Sequence, residues 1–382
     1  MNERARGDTY VRVSGSDYEM GAQQGHRFAA AVRDVFARLC RTRAVESFRP
    51  KWIPPFLFYP IMRSWIARRW RRPIELIMPG YARRIKGIAV GSGTPLEDLY
   101  LVQALEVLAI DASLFVGCSS FVILPQSGKT AVTVAAKNFD FISELSSDHL
   151  VRQSEPAGGY RSLEVTYKQL AGAHDGINDR GLVVLYNYGL TRERTQLRVP
   201  VTILVQQLLE RCATVDEAIM YIRTFRYPNG AILTLADRHN NAAVVEISPE
   251  RIAVRRPVQG VLSATNRYLS PEMASSDIPD DAVYSSERMP PEFHGKRIHQ
   301  SDDQRQARLE TLLARLWPAD IAGIERILRD HDDAPQGSDD TLCRHGSLLS
   351  TQVGMVFTPH RRTVRIMLGS PCAAVGREYA IV

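Results

Sequence analysis

The spacing of polar and apolar positions changes once along this chain of 382 residues. Apolar residues three or four apart run through Tyr18 to Leu39, Ile74 to Ile88 and Leu96 to Ile110, so the first 117 residues are expected to be helical. Thr94-Pro95 ahead of Leu96-Glu97-Asp98 marks a helix start, with acidic side chains at the positive end of the helix dipole. From Cys118 onward the spacing shifts toward strands. Phe121 to Leu124 and Ala131 to Ala136 flank a Gln-Ser-Gly-Lys turn and predict a hairpin. Further strands are expected over Leu163 to Tyr167, Leu182 to Tyr186, Ile232 to Ala236, Ala243 to Ile247 and Gly260 to Ala264, with DGINDRG and DRHNN as turns. Helices are expected near Val201 to Cys212, Val215 to Arg223, Gln304 to Leu316 and Ile321 to Leu328. Leu269 to Gln300 reads as a long loop, and two strands, Gly354 to Thr358 and Thr363 to Leu368, close the chain.

Composition adds limits. With 45% hydrophobic and 24% charged residues the chain fits a globular protein. No apolar run approaches the roughly 20 residues that span a bilayer, and MNERARGDTYVRV lacks a signal-peptide core, so a cytoplasmic protein is expected. The five cysteines are scattered, with no CxxC and no histidine at ligand spacing, which predicts reduced thiols and no metal or other cofactor. The net charge of +6 is uneven, with 18 basic against 11 acidic residues before Cys118 and 30 against 31 from it onward. Trp52 to Arg72 mixes aromatics with arginines and has three readings: contact with an anionic membrane surface, a clamp on an acyl chain, or a helix packing Trp65 and Ile66 inward. No nucleic-acid motif accompanies the charge. Gly128-Lys129-Thr130 resembles the end of a phosphate loop, but Ile123 stands where its first glycine belongs. His174-Asp175 and His331-Asp332-Asp333 lack ligand spacing and read as solvated loop residues.

The chemistry concentrates at Gly117-Cys118. A thiol at this junction can attack the Gly117 carbonyl, where no side chain obstructs the strained geometry. Hydrolysis of the resulting thioester frees Cys118 as a new amino terminus. An α-amino group of pKa about 7.7–8.0 can accept the thiol proton, so nucleophile and base become one residue.

The run GCSSFVIL, then KNFD, GINDRGLVVLYNY, SATNRY and TLCRH…GSPC, with VSGSDYEMGAQQG at the start, resembles the cysteine branch of the N-terminal nucleophile hydrolases. Within it the chain is similar to the acyl-coenzyme A:6-aminopenicillanate acyltransferase family. The resemblance implies an α+β, four-layer αββα sandwich, divided by self-cleavage into a helical segment 1–117 and a catalytic part 118–382 that stay associated. It implies Cys118 as nucleophile and Asp140 as the acid that holds the new amino terminus. Asn266 falls on the oxyanion asparagine, Asn187 on a second polar contributor, and Lys137 where many relatives carry arginine.

The activity so implied is cleavage or transfer of an acyl group at an amide through a Cys118 thioester, on a small amide or an acyl donor such as an acyl-coenzyme A. Two other readings of the residues stand beside it. One is a membrane-peripheral binding protein that keeps the fold without cutting itself; the other is a redox sensor at Cys118.

Overall fold

Among the described residues of this protein, two stacked sheets carry the strands. Its computed structural model describes residues 9–42, 46, 49–50, 52–111, 117–193, 199–225, 229–284, 293–316, 319–332, 334–346 and 348–381, apart from the side chains of 66, 67 and 105–111. The larger sheet has the order β1 (Tyr10–Gly15), β4 (His149–Pro156), β5 (Ser162–Tyr167), β6 (Asp175–Asn178), β7 (Val183–Tyr188), β8 (Ala231–Ala236), β9 (Ala242–Ile247) and β10 (Ile252–Arg255). The smaller has β11 (Val261–Ala264), β2 (Gly117–Ile123), β3 (Val134–Ile142), β12 (Leu349–Thr358), β13 (Thr363–Leu368) and β14 (Arg377–Ala380). Among these strands β1 and β4 pair in parallel, and the other pairs are antiparallel.

The described helices are α1 (Asp17–Arg27), α2 (Ala29–Arg33), α3 (Val35–Leu39), α4 (Pro55–Ile77), α5 (Pro79–Ser92), α6 (Leu96–Asp111), α7 (Val201–Arg211), α8 (Val215–Thr224), α9 (Gln300–Arg315) and α10 (Ile321–Leu328). Val122, Phe139 and Met355 of the small sheet share one apolar cluster with Val165, Ile177 and Leu185 of the large one. Their strand neighbours Phe121, Ile123 and Val356 point the other way, onto Leu309 and Leu313 of α9 and Ile324 and Ile327 of α10. This alternation is the period of two in β2 expressed as two packed faces. Helices α7 and α8 lie against the large sheet, so the layers read helix, sheet, sheet, helix: the expected αββα sandwich.

The first segment is not helical throughout, which corrects the sequence reading. Val11 and Val13 are buried while Arg12 and Ser14 are not, and this short alternation forms β1 on the edge of the large sheet. Six residues are too few to stand out beside the longer helical stripes that follow. The stripe from Tyr18 to Leu39 is also divided, into α1, α2 and α3, and Pro79 separates α4 from α5. Ser16 and Glu19 form a reciprocal capping box at the start of α1. Close approach explains MGAQQG: a Cβ on Gly21 would lie 2.1 Å from the Arg84 carbonyl oxygen, so α1 and α5 cross backbone to backbone.

The first segment is tied to the rest by more than β1. Buried Arg152 of β4 donates to Gln24 Oε1 of α1 at 2.8 Å and pairs with Glu164 at 2.5 Å. Arg84 of α5 lies 3.1 Å from Glu210, and Arg38 pairs with Asp148 at 2.8 Å. Strands β4, β6, β10 and β14 were not expected from the sequence, and β3 begins at Val134 rather than Ala131.

Candidate active site

Strand β2 sets the site by register. It pairs with β3 so that Gly117 faces Asp140, Cys118 faces Phe139 and Ser120 faces Lys137. Cys118 is fully buried on the inner side of the small sheet. Burial pushes its thiol up to about 11, opposed chiefly by the Lys137 ammonium, so in the uncut chain the thiol is protonated at neutral pH.

The peptide groups on either side of Cys118 are gripped. Its N–H donates to Asn266 Oδ1 at 2.7 Å, and its carbonyl oxygen accepts from Arg305 Nη1 at 2.6 Å. Arg305, buried on α9, also donates to Ser119 Oγ at 2.9 Å, Asn266 Oδ1 at 3.2 Å and Asp302 Oδ1 at 2.7 Å. The Asn266 amide is therefore held at both ends, because its Nδ2 donates to the Tyr188 carbonyl at 2.9 Å. In the uncut chain Asn266 anchors the amide nitrogen of Cys118.

Asp140 accepts from Thr351 Oγ1 at 2.7 Å through Oδ1, while its buried Oδ2 has no hydrogen-bond partner. Burial raises its carboxyl, opposed by the Arg305 and Arg344 guanidinium groups. A Cβ on Gly117 would lie 2.4 Å from Arg344 Nη1 and 3.0 Å from Asp140 Oδ2. Only glycine lets both charged groups close over this peptide, and Arg344 Nη1 and Nε are buried with no hydrogen-bond partner. An orphaned carboxylate oxygen beside orphaned guanidinium nitrogens leaves unused bonding capacity at the Gly117–Cys118 link.

Asn187 lies farther along the same interior. Its Nδ2 donates to Ser120 Oγ at 3.0 Å and to the Ala264 and Thr265 carbonyls, each at 3.1 Å, and so joins β7 to β2 and β11. Lys137 is fully buried, with Nζ 2.7 Å from Asp175 Oδ1 and bonded to the Tyr186 carbonyl. This corrects the reading of His174-Asp175 as solvated: both are buried, Asp175 within β6. Burial holds His174 well below its ordinary value, as a neutral ring packed on Phe139 and Tyr167. Asp175, Arg305, Arg344 and Thr351 are site neighbours that sequence reasoning missed; of these, Arg344 lies inside the TLCRH motif.

Behind Arg305 stands a charge relay of position. His299 Nδ1 is 3.1 Å from Asp302 Oδ2, and its Nε2 is 3.2 Å from Asp277 Oδ1, off the line of an ideal hydrogen bond. Burial alone would lower this imidazole; contact with the two carboxylates outweighs it and raises the group to about 9. A raised folded value stabilises the fold below the unfolded value of about 6.5, and the gain is lost as pH climbs through about 9. Urea unfolding should show wild type losing up to about 3 kcal/mol over that window. A His299→Gln variant is expected to lack this slope; an equal slope in both proteins would remove the ion pair from the account.

A sequence profile of the acyl-coenzyme A:6-aminopenicillanic acid acyl-transferase family matches residues 126–373. The chain belongs to that family. The match takes in Lys137, Asp140, Asn187, Asn266, Arg305 and Arg344 but begins after Cys118. Among solved structures the chain is similar to penicillin V acylase from Agrobacterium tumefaciens, at 15% identity over 68% of this chain and 84% of that one, TM-score 0.44. It is similar to a Caenorhabditis elegans ortholog of N-acylethanolamine-hydrolyzing acid amidase, at 15% identity over 64% and 93%, TM-score 0.45. A mutant conjugated bile acid hydrolase from Clostridium perfringens follows at 12% identity over 69% and 96%, TM-score 0.38. No curated protein sequence matches the chain.

Proposed function

We propose that this family member cuts itself between Gly117 and Cys118 and then cleaves or transfers acyl groups at amide bonds through a thioester on Cys118. The observation that carries this is the grip on the peptide groups on either side of Cys118. Asn266 holds the Cys118 N–H and Arg305 its carbonyl, while the free Asp140 Oδ2 and the Arg344 guanidinium close over Gly117.

In the first step the Cys118 sulfur bonds to the Gly117 carbonyl carbon, and the thiol proton passes to the departing nitrogen. Arg344, whose Nη1 lies beside Gly117, would stabilise negative charge on that carbonyl. Water then hydrolyses the Gly117 thioester, giving a carboxylate and a free Cys118 with its α-amino group. Asp140, at present short of a donor, takes an N–H of that new ammonium. In turnover the α-amine accepts the thiol proton and the sulfur attacks an amide carbonyl. The amine product leaves with that proton, and water or an acceptor amine or thiol releases the acyl group. Because Cys118 is fully buried, its surroundings must open before substrate enters.

The two parts are expected to stay together, held by the β1–β4 pairing and by the Arg84–Glu210 and Arg152–Gln24 contacts. Denaturing mass spectrometry of the purified protein tests the cut. Chains 1–117 and 118–382 that co-elute under native conditions support it, and incubation with an acyl donor should add the acyl mass to the larger one. Only an uncut chain, with Cys118 unreactive, would favour the binding-protein reading.

The basic-aromatic segment is the helix α4, and the exposure of its side chains supports the membrane-surface reading. Trp70 and Ile74 face inward, whereas Leu57, Ile61, Trp65 and Leu76 are exposed on one ridge with Arg68, Arg69 and Arg72. Trp65 is thus not the inward residue that one reading required, and the Ile66 side chain lies outside the described residues. Apolar side chains flanked by three arginines fit an anionic lipid surface. Sedimentation should find the protein on phosphatidylglycerol-containing vesicles and not on pure phosphatidylcholine, with binding about tenfold weaker in Ile61→Ser/Trp65→Ser. No binding to either vesicle would end this part of the proposal.

A further inference from the structure

A second cluster of chemistry lies outside the candidate active site. His331 follows α10, Cys343 and His345 precede β12, and Cys372 sits in the turn after β13. The fold collects these four residues so that one donor atom from each lies within 4.8 Å of all the others. The expectation of no metal rested on spacing along the sequence, and three separate stretches of chain supply what no single stretch contains.

The distances have the scale of a coordination shell. His345 Nε2 is 3.5 Å from Cys343 Sγ and 3.3 Å from Cys372 Sγ. In a tetrahedral zinc site, bonds of about 2.3 Å to sulfur and about 2.0–2.1 Å to nitrogen put a nitrogen and a sulfur roughly 3.5 Å apart. The His331 ring is set correctly as well. Its Nδ1 faces the Pro335 carbonyl oxygen at 3.3 Å, which makes Nδ1 the N–H donor and leaves the lone pair on Nε2. That Nε2 is buried and has no hydrogen-bond partner. A backbone carbonyl fixing one imidazole nitrogen is the usual outer support of a metal-bound histidine.

We propose that His331, Cys343, His345 and Cys372 form a Cys2His2 site for one zinc ion. Two thiolates balance the charge of a divalent ion, and thiolate with imidazole in a tetrahedron favours zinc over magnesium or calcium. Four protein ligands leave no open position, so the ion is structural. It would clamp the end of α10, the stretch before β12 and the turn after β13 to one another. Arg344 lies between two of the ligands, and its guanidinium closes over Gly117, so the clamp also fixes a group of the candidate active site. The zinc assignment itself does not depend on self-cleavage.

Metal content decides the matter. Full-length protein is reduced, loaded with zinc, passed through a desalting column and analysed for bound metal beside Cys372→Ser and His331→Gln. Cys372 is exposed and His331 only partly buried, so these variants spare the core. About one zinc per wild-type chain is expected, falling at least fivefold in each variant. Cobalt loading should give the visible bands of a tetrahedral ion and a thiolate-to-metal band that Cys372→Ser weakens. Less than about 0.1 zinc per reduced wild-type chain, or equal zinc in wild type and both variants, would overturn the site. So would Cys343 and Cys372 joined as a disulfide in protein that binds no metal once reduced.

Discussion

A Cys118→Ala variant is expected to remain one chain of 42.8 kDa and to lose amide turnover by about 10⁴-fold or more. Among the described residues no other group beside Gly117 offers a comparable nucleophile. Asp140 and Arg344 are an acid and a cation, and the amide of Asn266 is held by Cys118, Arg305 and Tyr188. Removing one buried sulfur leaves a small cavity, worth about 1–2 kcal/mol, so the variant should fold and its silence would report chemistry. Cys118→Ser keeps a hydroxyl at the same place and is expected to cut itself far more slowly than wild type. Mass measurement over hours separates the three proteins. Division of the alanine variant after Gly117 would sink the proposed mechanism, because the bond would then be breaking without its attacking atom.

What the sequence disclosed follows from which interactions are local. The β2–β3 hairpin and most helices leave a periodic trace, the αββα layering came only through the family resemblance, and Cys118, Asp140, Asn266 and Asn187 sit in motifs whose order could be read. The misses are buried charges. Arg305 and Asp302 are three apart on a polar helix and look like a surface ion pair, yet both are buried and Arg305 reaches Cys118. Strand β4 reads as polar because Arg152, Gln153 and Ser154 are buried in it, with Arg152 satisfied by Glu164 and Gln24 from elsewhere in the chain. Asp175 looked like a turn residue for the same reason: its partner Lys137 is 38 positions away. Polarity in a sequence predicts exposure only where no distant partner is supplied, and here the fold supplies several.

Lys137→Met is expected to destabilise the fold by about 3–5 kcal/mol, the cost of leaving the Asp175 carboxylate buried without its cation. Both side chains are fully buried, so water cannot replace the lost partner. Converting the survivor as well, in Lys137→Met/Asp175→Asn, should restore most of the loss, since an asparagine Oδ1 can still accept from the Tyr186 N–H now bonded to Asp175 at 3.0 Å. Cleavage should not recover in parallel. The Lys137 ammonium is the chief charge opposing the upward push of burial on the Cys118 thiol, while Asp175 adds only a weaker push upward. The double variant therefore regains stability and keeps a thiol that is harder to ionise, so it should still divide more slowly than wild type. Urea unfolding of an uncut background, Cys118→Ala, gives the stability values, and the time course of chain division gives the other. Recovery of both quantities together would make Lys137 a packing element alone. Recovery of stability without speed would place its charge in the chemistry of Cys118, a role that an arginine could share only if its larger fork fitted the same closed space.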